Sequence, residues 1–77
     1  MVNKTNMKQE MIIYYDEEAD FLEITLGTYT EGYFRDISPG ISEHIDEKTG
    51  KVTGISILNF RKRVSKDKNI KIPITLT

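Results

Sequence analysis

The chain has no cysteine, a single histidine, only two prolines and no long apolar run. Without cysteine there is no disulfide and no thiolate metal site, and such a composition suits a reducing compartment. A single histidine, His44, with no cysteine or serine partner in reach by sequence, makes no nucleophilic constellation. No stretch approaches the roughly 20 apolar residues of a membrane-spanning helix, and the N-terminus lacks the apolar core of a secretory signal. Charge of one sign is lacking too. The 11 basic residues stand against 12 acidic ones, for a net charge of −1, which is no footprint for nucleic acid or an anionic membrane. No cofactor motif occurs. These exclusions leave a soluble, cytoplasmic protein with no cofactor and no metal, more readily a binding module than an enzyme.

What is present is patterned for a sheet. At 77 residues the chain is one domain, and a chain of this size buries only about 60% of its unfolded surface. Disulfides, metals and oligomerisation are the usual supports for such small domains. With disulfides and thiolate metal sites excluded, a homodimer or higher homo-oligomer is expected. Isoleucine dominates the apolar residues, which favours strand over helix.

The stretch Met11 to Leu26 organises the rest. Two apolar, β-prone runs flank Asp16-Glu17-Glu18-Ala19-Asp20, which is a hairpin signal, and Leu22, Ile24 and Leu26 form one apolar row. Residues 1–10 before it are polar and aperiodic and read as a frayed tail, with Met7 a candidate alternative start. A third strand covers Tyr33 to Ile37, with Tyr33, Arg35 and Ile37 on one face. Ser38-Pro39-Gly40 is a turn, with Pro fixing φ and Gly supplying a positive φ. The fourth strand is Ile41 to Asp46, the following loop ends on a left-handed Gly50, and the fifth strand is Lys51 to Leu58. Gly54, inside that strand, marks a bulge or a close backbone approach. Asn59 then caps a short helix that sets Phe60 and Val64 on one face. Ser65 to Asn69 is a polar turn. Ile70, Ile72, Ile74 and Leu76 alternate strictly, and Pro73 assigns that segment to an edge. The expected fold is mainly β: an antiparallel meander of about five strands, a short helix after Leu58 and a C-terminal edge strand over residues 70–76.

Tyr15-Asp16-Glu17-Glu18-Ala19-Asp20 followed by Leu22-Glu23-Ile24 resembles the opening of the bacterial and archaeal domain-of-unknown-function family 2283. Gly40-Ile41, Ile45-Asp46-Glu47, Gly50-Lys51-Val52 and Gly54-Ile55-Ser56-Ile57-Leu58 resemble its second half. The likeness runs from about Met11 to Val64. Glu43 departs from it where an apolar residue is usual, and His44 where an acidic one is. The family brings no established activity. Some members are thought to be encoded beside small toxin-like proteins, and the resemblance thereby implies an antitoxin-like binding role.

Three groups of residues carry candidate chemistry. The acidic turn at residues 16–20 offers oxygen ligands but lacks the glycine and distal glutamate of a calcium loop, so it reads as a solvated turn. Glu43, His44 and tyrosines such as Tyr33 are the candidates for a ligand or enzymatic site built at a subunit interface. Arg61, Lys62 and Arg63 form a basic cluster suited to a solvated helix face, an acidic partner protein or, least of all, nucleic acid. The leading expectation is a self-associating protein-interaction module with a small protein partner. A concave pocket holding both Glu43 and His44 would favour the ligand site, whereas an unpaired apolar strand edge would favour the module.

Overall fold

The structure, a computed structural model, describes residues 9–73. Five strands precede one helix: β1 Met11–Asp16, β2 Phe21–Leu26, β3 Gly32–Ser38, β4 Ile41–Asp46, β5 Val52–Leu58 and α1 Phe60–Asp67. The strand bounds agree with the sequence reading to within one residue. The strands form one antiparallel sheet in the order β1-β2-β5-β4-β3.

The mainly β, antiparallel architecture is therefore present, and its order refines the meander. β1–β2 is one hairpin and β3–β4–β5 a local three-stranded meander, and the two join where β5 pairs with β2. Burial accounts for this arrangement. β5 carries Ile55 and Ile57 and gains from neighbours on both sides, whereas β3 carries Arg35 and Asp36, charges suited to an edge.

Alternation gives the sheet two unlike faces. Leu22, Ile57 and Ile41 oppose one another across three adjacent strands and are all buried. Phe60 of α1 packs on this cluster together with Ile24, Ile37, Ile55, Ile70 and Ile72. The second face, bearing Ser42, His44 and Ser56, has no helix over it among the described residues.

Two expectations need correction here. Residues 70–73 form no strand, and Ile74 to Leu76 lie outside the described residues. The alternation of Ile70 and Ile72 instead packs both side chains, half-buried, against the core. The helix face lacked cover, so packing there outweighed ladder hydrogen bonds at an edge. The helix also runs on to Asp67, through most of the expected polar turn, and Asn59 does not cap it. Asn59 is left-handed (φ 59°) and makes no side-chain cap bond.

Asp20 supplies the cap from 41 residues away. Its carboxylate accepts from the Arg61 N–H at 2.7 Å and the Lys62 N–H at 3.3 Å, and its carbonyl accepts from the Phe60 N–H at 3.2 Å. These are first-turn donors with no partner inside the helix. The Tyr15 hydroxyl donates to the same carboxylate at 2.8 Å, and the Tyr15 ring meets Phe60 edge-on at 5.8 Å. Burial alone would raise the Asp20 carboxyl. The Arg61 amide, the Tyr15 hydroxyl and the Lys62 amide outweigh it and hold the group below its ordinary value.

Candidate interaction surface

Glu43 and His44 are candidates for one site at a subunit interface. They are consecutive in β4, so their side chains leave opposite faces of the sheet. Glu43 is buried on the helix face and accepts from the Arg35 guanidinium, including an Nε contact of 3.1 Å, in a cross-strand ion pair. Tyr33 lies on the same face as this pair, opposite Ile45, and is exposed. It reaches neither Glu43 nor His44 in any hydrogen bond among the described residues.

His44 is buried on the open face. Tyr29 stacks on its ring at 5.4 Å and Phe34 tilts against it at 5.0 Å. The ladder slips between His44 and Ile45, leaving Thr53 as the extra residue of β5. A bulge of this kind turns an extra side chain toward its neighbour, and the Thr53 hydroxyl lies 2.8 Å from His44 Nδ1. Gly54, directly across from His44, permits a close approach. A Cβ there would stand 2.9 Å from the Ile24 carbonyl oxygen. His44 Nε2 has no hydrogen-bond partner among the described residues. The hollow beside it, lined by Glu23, Thr53 and Ser56 among others, holds about 20 Å³. That is the room of one water molecule and far below the few hundred Å³ of a ligand pocket. Thr53 was not singled out from the sequence, since the bulge that brings it in leaves no mark beyond Gly54.

The basic cluster is divided as well. Arg63 is committed to the fold: Nε donates to the Leu58 carbonyl at 2.7 Å and a terminal nitrogen to the Pro39 carbonyl at 2.6 Å. It thereby ties α1 to the β3–β4 turn. Arg61 stands 3.9 Å from Glu17 in an exposed pair, and Lys62 is exposed. Among the described residues, no group of three or more acidic or histidine side chains gathers as metal ligands, and no helix is long and apolar enough to cross a membrane.

The remaining feature is β1, an outer strand of the sheet. Met11, Ile12, Ile13 and Tyr14 are each more than half exposed, with Ile13 at 62%. Met11 and Ile13 face the helix side beyond the reach of α1, while Ile12 and Tyr14 face the open side. Uncharged, β-prone and free of proline and glycine from Met11 to Tyr15, this strand carries none of the devices that blunt a sheet edge. The opposite edge, β3, carries Arg35, Asp36 and a break in register between Asp36 and Ser38.

No curated protein and no solved structure matches the chain. One family matches, described as protein of unknown function (DUF2283), over residues 12–61. That span takes in nearly all of the five-stranded sheet and the Asp20-capped start of α1, well over half of the 77 residues. By that match the chain belongs to the family of proteins of unknown function DUF2283.

Proposed function

We propose that this domain is a non-enzymatic protein-interaction module that works as a homodimer or higher homo-oligomer in the cytoplasm. The observation that supports this reading is β1, an outer strand with apolar side chains exposed on both faces. Contiguous exposed apolar surface marks an interaction site in small soluble domains. The buried apolar set among the described residues is thin, namely Leu22, Ile41, Ile45 and Ile57, so covering β1 adds burial that the chain lacks alone. An antitoxin-like capture of a small partner protein belongs to the same surface. The ligand-site reading is weaker, because Glu43 and His44 part to opposite faces and the hollow at His44 is water-sized.

Sedimentation equilibrium from about 1 to 200 µM tests the reading, since a weak dimer populates over that range. The expected result is a concentration-dependent rise above the 8.9 kDa chain mass. An 8.9 kDa species throughout would overturn it.

A further inference from the structure

Resting on the self-association just proposed, we infer that β1 pairs with β1 of a second copy, antiparallel and centred on Ile13, to make one continuous ten-stranded sheet. The hydrogen-bond phase of the edge carries this inference. The Gly27 N–H donates to the Glu10 carbonyl at 2.7 Å, and the ladder runs on through Ile12↔Thr25, Tyr14↔Glu23 and Asp16↔Phe21. Alternate residues of an antiparallel strand bond to alternate sides. Glu10, Ile12, Tyr14 and Asp16 therefore face β2, and Met11, Ile13 and Tyr15 turn their N–H and C=O groups outward.

A two-fold axis through Ile13 uses all three outward residues. Ile13 pairs with Ile13 of the second copy, and Met11 with Tyr15 of the second copy and the reverse, for about six hydrogen bonds. Moving the axis to Ile12 or Tyr14 leaves Tyr15 or Met11 without a β1 partner. The centred register also sets Ile12 against Tyr14 of the second copy on the open face, a favourable aliphatic–aromatic cross-strand pair. No charged side chain opposes another between Met11 and Tyr15. Pairing β1 to itself is isologous and closes at two copies, whereas β1 on β3 would propagate as a filament. The charges and broken register of β3 oppose that second route. The five exposed residues leave about 500 Å² per protomer to be covered, taking about 200 Å² for a large side chain. Edge-to-edge pairing covers only part of that area, so a pair buries less than about 1,000 Å², in the range of weak transient interfaces, which suits a reversible dimer.

The register predicts one unfavourable contact. Glu10 and Asp16 of the second copy oppose each other at both ends of the seam, and like charges so placed weaken pairing. Glu10→Lys should therefore tighten association about threefold to tenfold.

The chain has no cysteine, so single cysteines report the register directly. Paired residues at Ile13 have Cα atoms about 5.5 Å apart, within disulfide range. Under mild oxidation Ile13→Cys should give a covalent dimer. Met11→Cys and Tyr15→Cys should each stay unlinked alone, at about 13 Å, and link when mixed. Position 13 is 62% exposed, and far-UV circular dichroism checks that each variant keeps the fold. A folded protein that dimerises in the centrifuge but links neither at position 13 nor in the mixture overturns this register and leaves self-association standing. A monomer in the centrifuge overturns both.

Discussion

Ile57 is the residue on which the two halves of the sheet meet, and Ile57→Ala measures how much that meeting contributes. It is 2% exposed, opposite Leu22 of the first hairpin and Ile41 of the β3–β5 meander. Alanine removes three carbons. At about 0.8 kcal/mol for each buried methylene the transfer loss is about 2.4 kcal/mol. The cavity adds to that, but the cover over Ile57 is a single short helix and the segment bearing Ile70 and Ile72. Such a thin layer collapses into part of the void, so the expected total is about 3 kcal/mol. A domain of this size has about 4–12 kcal/mol in all, and the melting temperature should fall by about 12–24 °C. Urea titration followed by far-UV circular dichroism, at low micromolar protein, reads the loss. Ile13→Ala is the control, because a side chain 62% exposed should cost less than about 1 kcal/mol in the monomer. Equal losses from the two substitutions would refute the placement of the core on the helix face.

Two further predictions concern single carboxylates. Asp46 accepts from the Thr49 hydroxyl at 2.8 Å, the Thr49 N–H at 2.7 Å and the Lys48 N–H at 3.2 Å; Thr49 first, then the Thr30 hydroxyl and these amides, lower its pKa from 3.8 to about 2. Since the folded value is depressed, its contribution is present above the ordinary value and is lost as pH falls from about 4 through about 2. A carboxyl-carbon NMR titration should give a midpoint near 2, and one near 4 would refute the loop geometry. Asp20→Ala should fray α1, raising amide exchange at Arg61 and Lys62 while the strands stay protected. The Tyr15 phenol, raised by its bond to Asp20, should return toward 10.0 in the same variant. Unchanged protection would show that the helix start does not depend on this cap.

Much of the sheet was legible because strand, turn and glycine signals are local. Gly40 and Gly50 take the positive φ that their turns require, 77° and 74°. The opposite faces of Glu43 and His44 follow from alternation, which argues against one pocket holding both. The alternation at Ile70 and Ile72 was real, but a period of two says only that every second side chain is buried. It does not say whether the backbone between them joins a ladder.

Strand existence, strand bounds, turn positions and the two-faced pattern of the first hairpin were settled by the sequence, through steric preference and side-chain period over a few residues. The tertiary structure decided the docking of β5 against β2, the capping of α1 by Asp20 across 41 residues, the slip that sets Thr53 beside His44, and the outward phase of Met11, Ile13 and Tyr15. Each of these depends on which distant groups share a burial site or a hydrogen-bond ladder. A short-range pattern lists the groups that need partners, and only the packed chain assigns them.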